Sequence, residues 1–254
     1  MITDIQRASL LKRIAAGFFD AILICILAVG FAWMLTAILD YNSYNAALEN
    51  GYAKYEQSYG VKFDISQEDY LNLSDAEKQN YDTAYQALIK DEEIIQNYNI
   101  LLNLTLLVTT FGILLAIVAL ELVVPLILKN GQTIGKKIFG IGLVRNDGVQ
   151  MNNMQLFVRT ILGKFTIETM IPVYIIVMVL FNSIGIVGAI VIGGILLVQL
   201  ISIIVTSNKT LIHDMLAGTV AVDISSQMIF RTTEDLIAYK TKIHAEQAAR
   251  SIYK

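Results

Sequence analysis

Three acidic side chains inside long apolar runs are the residues whose chemistry the sequence has to explain. Asp20, Glu121 and Glu168 each lie seven to nine residues from the basic residue that flanks the run. At about 1.5 Å of rise per helical residue, each carboxylate lies roughly 10 Å inside its run. Ionisable groups in hydrocarbon are costly, and they mark ion sites, proton relays or paired charges. The spacing predicts three carboxylates at one level, where burial and mutual repulsion would favour binding a proton or a cation.

Pairing with nearby charges is the alternative for two of these acids. Lys164 and Glu168 are four residues apart on one helix face, a spacing at which opposite charges attract. Arg13 precedes Asp20 by two turns on the same face, so its long side chain could approach that carboxylate. The sequence leaves both interpretations open.

A proline close to Glu121 adds a further candidate ligand. Pro125 follows four residues later, so its ring disrupts the helical hydrogen bond to the Glu121 carbonyl. A freed carbonyl beside a buried carboxylate would suit a cation, but proline-kinked helices without any ligand are common. This feature therefore supports an ion site without requiring one.

The segment GQTIGKKIFGIGLVRNDG, residues 131–148, has glycines and lysines like those of a phosphate-binding loop. Such a loop needs four residues between its glycines and a Ser or Thr after the lysine. Here only three residues separate the first two glycines, and Lys137 stands where the hydroxyl should be. Nucleotide binding is therefore not expected. Lys136, Lys137 and Arg145 are instead predicted to contact anionic headgroups, while the apolar residues dip into the interface or pack under the helices.

Four long apolar runs must position these residues. They cover residues 14–39, 100–128, 156–181 and 184–206, and each exceeds the roughly 20 residues that cross a bilayer as a helix. Only 16% of the residues are charged, against about 25% in ordinary soluble domains. The predicted fold class is an all-α membrane protein with four transmembrane helices and an extracytoplasmic helical hairpin between the first two. The predicted segments are 1–39 (N-terminus and first span), 40–99 (acidic insertion), 100–128 (second span), 129–155 (basic loop), 156–206 (hairpin of spans three and four) and 207–254 (His-Asp segment and C-terminal helix).

The distribution of charge predicts an orientation. Residues 40–98 contain twelve Asp or Glu and four Lys, whereas the rest of the chain carries a net charge of +5. Because basic residues collect on the cytoplasmic side of membrane proteins, both termini and the 129–155 loop are expected in the cytoplasm. The first run is much longer than the 7–15 apolar residues of a signal peptide. A multi-pass protein of the cell membrane is therefore expected.

The inserted segment and the tail are predicted to be helical. The stretch SDAE at residues 74–77 fits a capping box, in which a serine and a glutamate satisfy the first amides of a helix. We expect two helices that extend the first two spans beyond the membrane, joined by a turn that contains Gly60 and Asp64. Tyrosines at helical spacing are expected to pack this hairpin or to contact a partner. A polar helix is expected after Thr232.

The combination of these motifs resembles the RDD family of integral membrane proteins. Arg13 and Asp20 in RIAAGFFD match the residues that name the family, and Asp214 in NKTLIHDMLAGTVAVD matches its second aspartate. The 131–148 segment and the following QLFVRTIL are also similar to that family. The resemblance implies a membrane protein with a poorly defined role, for which transport, including cation/proton exchange, has been proposed. It covers residues 7–36 and 105–224, so the insertion lies outside it.

The segment around the second aspartate offers two chemistries. His213 and Asp214 are adjacent, so they could relay protons or bind a metal. One adjacent pair is a weak metal signal, because structural sites usually have four ligands. Pairing of Asp214 with Arg13 or Arg159 is the preferred interpretation.

Two classes of function remain, and an enzyme is the least expected. The first is a small transporter or transporter component that uses the buried carboxylates. The second is a non-transporting adaptor or regulator that binds a partner through the outer hairpin or the C-terminal helix. The sequence has no hydrolase or metalloprotease motif, and we expect no cofactor, no metal and no nucleic acid. The expected partners are the lipid bilayer, a monovalent cation or proton, and a second copy or another membrane protein.

Overall fold

The computed structural model describes residues 5–128, 131–180, 185–206 and 210–252. The chain is 77% helical, which confirms the predicted class. Within these ranges, four helices are long and apolar enough to cross a membrane: Leu10–Ile38, Glu92–Leu128, Asn153–Val179 and Gly185–Val205. The first and second begin four and eight residues earlier than the apolar runs indicate. Asn182 and Ser183, the two residues between the third and fourth apolar runs and so the predicted tight connection of this hairpin, lie outside the described residues.

The second span changes its helical geometry next to its proline. It consists of α5 (Glu92–Ile117), a π-helical segment (Val118–Val123) and α6 (Val124–Leu128). Pro125 has no N–H to donate, and its ring blocks the carbonyl four residues earlier. The wider π-helical turn, which often occurs at functional sites, accommodates this disruption.

The third span contains a longer π-helical segment. Its parts are α8 (Asn153–Phe157), the π-helical Val158–Met170 and α9 (Ile171–Leu180), and the fourth span is α10 (Gly185–Val205). A capping box starts α8, because the Asn152 side chain accepts from the Gln155 amide and the Gln155 side chain accepts from the Asn152 amide. The π-helical segment carries the basic and acidic residues of this span.

A two-stranded antiparallel sheet joins the loop after the second span to the segment after the fourth. Strand β1 (Ile141–Arg145) pairs with β2 (Thr219–Asp223), with Leu143 opposite Ala221. Of the two alternatives for the apolar residues of this loop, packing under the helices describes Ile141, Leu143 and Val144, which are buried in this strand. The strand has a buried core of its own, in which Val144, Val220 and Val222 cluster. Pairing satisfies backbone groups that an irregular buried loop would leave without partners.

Three further helices accompany the sheet. The short helices α7 (Ile134–Ile138) and α11 (Ile212–Ala217) precede β1 and β2, and α12 (Thr233–Ile252) follows β2. The helix expected after Thr232 is confirmed by α12. Glycines at both approaches to the sheet take left-handed backbone conformations, with φ of 66° at Gly140 and 63° at Gly218.

The chain divides into two compact units, Met1–Ala28 with Leu114–Lys254, and Val29–Ile113. In the second unit, α2 (Tyr41–Tyr59), α3 (Gln67–Asn72) and α4 (Asp75–Leu88) precede α5. The predicted capping box at Ser74 and Glu77 is confirmed. The prediction that the two outer helices continue directly from the first and second spans is wrong. The helix is interrupted at Asp40 (φ 54°) and again between α4 and α5. Aromatic side chains pack this unit: the Phe63 ring lies 5.9 Å from Tyr52 and 5.6 Å from Tyr81.

One glycine lets α11 approach the third span. A Cβ at Gly163 would lie 2.5 Å from the His213 Cβ and 2.6 Å from its Cα. These distances are shorter than van der Waals contact, so no larger residue fits without moving the backbone. Gly163 therefore sets the distance between α11 and the third span.

Gly163→Ala is expected to destabilise the protein by roughly 1–3 kcal/mol, the usual cost of overpacking a close contact. The matched control is Gly193→Ala, because a Cβ at Gly193 meets nothing within 4 Å. Thermal unfolding of the detergent-purified variants measures both changes. An unchanged Tm for Gly163→Ala would contradict the close approach.

Candidate functional site

Asp20 holds the loop that follows the second span in place through two hydrogen bonds. Its side chain is 1% exposed, and its two oxygens accept from different groups of the loop. Thr133 donates its hydroxyl to Oδ2 at 2.5 Å, and the Gly135 amide donates to Oδ1 at 2.8 Å. A Cβ at Gly135 would lie 2.5 Å from the Ala16 carbonyl oxygen. Gly135 is therefore required for the loop backbone to reach this carboxylate.

Glu121 lies at the centre of three cations. It is 0% exposed, and its Oε1 accepts from Lys164 Nζ. Its Oε2 lies 3.6 Å from Lys136 Nζ and 3.5 Å from Arg159 Nη1. Within the described residues, Oε2 is a buried side-chain oxygen with no hydrogen-bond partner. The negative charge of Oε2 is therefore balanced by the nearby Lys136 and Arg159 cations rather than by a hydrogen bond.

Lys136 bridges the two carboxylates. Its Nζ lies 3.8 Å from Asp20 Oδ2 and 3.6 Å from Glu121 Oε2, and it donates to Thr133 Oγ1 at 3.2 Å. Burial lowers the pKa of Lys136 to about 8, even though the neighbouring Glu121 carboxylate acts to raise it. The protonated and neutral forms of Lys136 are therefore closer in free energy than those of an exposed lysine.

Arg159 and Asp214 form a second buried pair. Arg159 donates from Nε to Asp214 Oδ1 at 2.8 Å, Thr219 donates its hydroxyl to the same oxygen at 3.1 Å, and Arg13 Nη2 lies 3.9 Å from Asp214 Oδ2. Burial acts to raise the pKa of Asp214, but the neighbouring His213 and Arg159 side chains, with Arg13 further away, hold that pKa below its usual range. The expected pairing of Asp214 with Arg13 or Arg159 is confirmed, and both arginines take part.

His213 connects this pair to Glu168. Arg159 Nη2 lies 2.9 Å from His213 Nε2, and because a guanidinium only donates, Nε2 must accept. The proton of the neutral ring is therefore on Nδ1, which donates to Glu168 Oε2 at 2.7 Å. The His213 amide also donates to Glu168 Oε1 at 3.1 Å. Burial lowers the pKa of His213, which agrees with a neutral ring.

Three arrangements that the sequence left open differ from those in the described residues. Lys164 does not pair with Glu168 four residues away, because the buried Glu121 carboxylate attracts it. Arg13 reaches Asp214, while Asp20 is occupied by the loop. The Glu121 carbonyl already accepts a hydrogen bond from the Thr160 hydroxyl at 2.8 Å.

The two lysines and the arginine that were predicted to contact lipid headgroups differ in how exposed their side chains are. Lys136 is not a headgroup contact, because its side chain is only 11% exposed and points to the two carboxylates. Lys137 is exposed, as expected of a surface contact. Arg145 is partly exposed and donates to Asp147 at 2.7 Å. Headgroup contact by Lys137 and Arg145 stays a prediction.

The three predicted carboxylates belong to one connected network, but they do not simply repel one another. Asp20 and Glu121 share Lys136, and Glu168 connects to Glu121 through His213 and Arg159. The network contains four carboxylates and four basic side chains: Asp20, Glu121, Glu168, Asp214, Arg13, Lys136, Arg159 and Lys164. The sequence alone did not identify Thr133 or the structural role of Lys136 in this network. The available signal was the position of this lysine directly after the GxxxG segment at residues 131–135. Within the described residues, no group of three or more His, Cys, Asp or Glu could hold a metal ion.

His213 gives the site a pH dependence of stability. Its pKa is lower in the folded protein than the value of about 6.5 in an unfolded chain, so the unfolded chain takes up a proton first as pH falls. Stability is therefore full above about pH 6.5 and is lost below it. Chemical unfolding between pH 7.5 and 5.5 should show this loss in the wild type. His213→Gln should flatten it by up to about 1.4 kcal/mol per pH unit, and His244→Gln on the exposed face of α12 should not. Equal slopes in all three proteins would contradict a neutral buried His213.

Comparison with known proteins agrees with the motifs at this site. The model of the RDD family, a family of membrane proteins, matches residues 7–218. Comparison with curated proteins and with solved structures gives no match. The matched range contains Arg13, Asp20 and Asp214 together with every other residue of the network. The chain belongs to the RDD family of membrane proteins.

Proposed function

We propose that this RDD protein is a small membrane transporter, or the ion-handling component of one, that exchanges a monovalent cation for a proton. The exchange centre consists of Asp20, Glu121 and Lys136. The observation that carries the proposal is Glu121 Oε2, an oxygen of a fully buried carboxylate that has no hydrogen-bond partner within the described residues. Ionisable groups inside membrane spans pair with one another and often mark ion pathways or proton relays.

Charge balance explains how the exchange would be coupled. Among the described residues, the network has equal numbers of acidic and basic side chains, so removal of the Lys136 proton leaves one negative charge without compensation. An uncompensated buried charge costs about 3–5 kcal/mol, and a monovalent cation between Asp20 Oδ2 and Glu121 Oε2 would remove that cost. Carboxylate oxygens are suitable ligands for hard cations. The proton therefore leaves when the cation arrives, and it returns when the cation leaves.

The environment of Lys136 suits this role. Its two carboxylate contacts, at 3.8 and 3.6 Å, are longer than direct hydrogen bonds, so a small displacement of Nζ separates it from both. Its pKa of about 8 places the protonated and neutral forms close in free energy. The π-helical segments that carry Glu121 and Lys164 add wide turns, which are frequent at functional sites.

The orientation also belongs to this proposal. Basic residues collect at the end of the spans that carries the exchange centre, so the positive-inside rule places this end in the cytoplasm. The termini would then be cytoplasmic, the acidic insertion would lie outside, and the protein would reside in the cell membrane.

Four spans are few for a transporter built from inverted repeats, so a homodimer or another membrane protein would complete the pathway. The proposal involves no enzymatic step, cofactor or nucleic acid.

Lys136→Arg is expected to abolish exchange while keeping the positive charge, because a guanidinium does not release its proton in proteins. In proteoliposomes, wild-type cation uptake driven by a pH gradient should increase as pH rises through about 8, since Lys136 must lose its proton first. The matched control is Lys137→Arg, a change at the exposed neighbouring residue, which should retain exchange.

Asp20→Asn provides the second arm of the same experiment. It should abolish ion-dependent flux and leave folded protein in the membrane. Wild-type-like exchange in both Lys136→Arg and Asp20→Asn would eliminate this centre as the transport site.

A non-transporting adaptor is the second candidate, and an aromatic groove on the insertion favours it. The groove has a volume of about 320 Å³ and is lined by Tyr52, Tyr85, Leu88, Tyr98 and neighbouring isoleucines. Exposed aromatic and aliphatic side chains of this kind are frequent in protein interfaces. In this function the insertion, rather than the ion-pair network, would bind a membrane-protein partner.

Deletion of residues 41–98 tests the adaptor function. If the insertion holds a partner, the deletion should remove that partner in a pull-down from detergent-solubilised membranes and leave the four-helix part intact. Association that survives the deletion would show that the insertion is not the contact.

A further inference from the structure

A small cavity beside the ion-pair network has a strongly positive wall. Its volume is about 100 Å³, and four basic side chains line it: Arg13, Lys136, Arg159 and Lys164. Among the described residues, Asp214 is the only carboxylate on the wall. A cavity of this size has room for roughly three waters, which is also the scale of one small oxyanion.

The carboxylate that balances three of these cations does not line the cavity. Glu121 contacts Lys164, Lys136 and Arg159 from the protein side, and the structure does not place it among the residues that line the cavity. Asp214, which does line it, is already occupied by Arg159 at 2.8 Å. The cavity itself is therefore a region of positive potential with low-dielectric walls, which concentrates anions.

The donors suit a phosphate group in particular. Lysine ammonium groups have three N–H donors and arginine guanidinium groups have five. The hydrogen bonds of Lys136, Arg159 and Lys164 use only one or two donors of each side chain. Arginine binds phosphate oxygens in a two-pronged geometry, and lysine adds a compact charge. We propose that this cavity binds one phosphate group, from either an anionic lipid headgroup or free inorganic phosphate.

The surroundings of the cavity bring it close to lipid. Gly17 lines the cavity and is exposed on the first span, where its neighbours Ile14 and Phe18 are 58% and 70% exposed. Residues with such exposed apolar side chains on a membrane span face the acyl chains, so the cavity borders the lipid phase. Basic pockets between spans bind anionic headgroups in other membrane proteins. The site differs from the proposed exchange centre, although Lys136 contributes to both.

Gly17 also offers a variant that adds bulk beside the cavity without removing any charge. A Cβ at Gly17 meets nothing within 4 Å, so Gly17→Leu places its side chain in open space next to the cavity. Gly30→Leu is the matched control, since Gly30 is an exposed glycine of the same helix whose Cβ also meets nothing within 4 Å. Lys164→Gln is a second variant, which removes one of the cations.

The experiment measures binding to the full-length protein in detergent, without ion flux, so it is independent of the proposed transport. Radiolabelled inorganic phosphate is titrated by equilibrium binding, and native mass spectrometry counts bound phosphatidylglycerol with phosphatidylcholine as the zwitterionic reference. Wild type and Gly30→Leu should bind phosphate or phosphatidylglycerol at one site per chain. Gly17→Leu should lose this binding, and Lys164→Gln should weaken it at least about tenfold, the usual effect of one charge-assisted hydrogen bond.

The two ligand arms distinguish the sources. One retained phosphatidylglycerol that competes with inorganic phosphate identifies a lipid headgroup site, and phosphate binding without lipid retention identifies a free anion site. Absence of both would overturn the proposal. Binding that is unchanged in Gly17→Leu and Lys164→Gln would also overturn it, because the ligand would then lie elsewhere.

Discussion

The cost of burying charge is the constraint on which the rest of this structure depends. Four carboxylates and four basic side chains lie together at one end of apolar helices, and each would be unstable there alone. They come from the first, second and third spans, from α7 and from α11, so the requirement for charge balance holds these elements together. Glu121 is the most constrained of them, because it is fully buried among three cations.

The three residues that identify the family have separate structural roles. Asp20 accepts hydrogen bonds from Thr133 and Gly135 and so fixes the loop after the second span. Asp214 pairs with Arg159 and lies near Arg13, which connects the start of the first span to α11. The arginine and the two aspartates are therefore parts of two adjoining ion-pair groups. Lys136 and Arg159, which both approach Glu121, connect these groups into the network that we propose to exchange ions.

The sequence predicted the spans, the buried acids and the C-terminal helix, because hydrophobic length and isolated charges are local signals. It did not predict which charges pair. Lys164 was expected to contact Glu168 on its own helix, but contacts between helices decided the partners of both residues. The strand at 141–145 was also missed, since a short apolar run has the same appearance in a loop, a strand or an interfacial segment. Lys136 was placed on the membrane surface because sequence shows its charge but not its burial.

The central claim is that a charge-balanced cluster releases a proton when it binds a cation. The most direct measurement is the pH change of a weakly buffered solution of the detergent-purified protein, held near pH 8, after addition of sodium or potassium chloride. Choline chloride serves as the reference for ionic strength. The account predicts release of up to one proton per chain with one of the alkali cations and none with choline. Equal pH changes with all three salts would contradict the exchange of a proton for a cation.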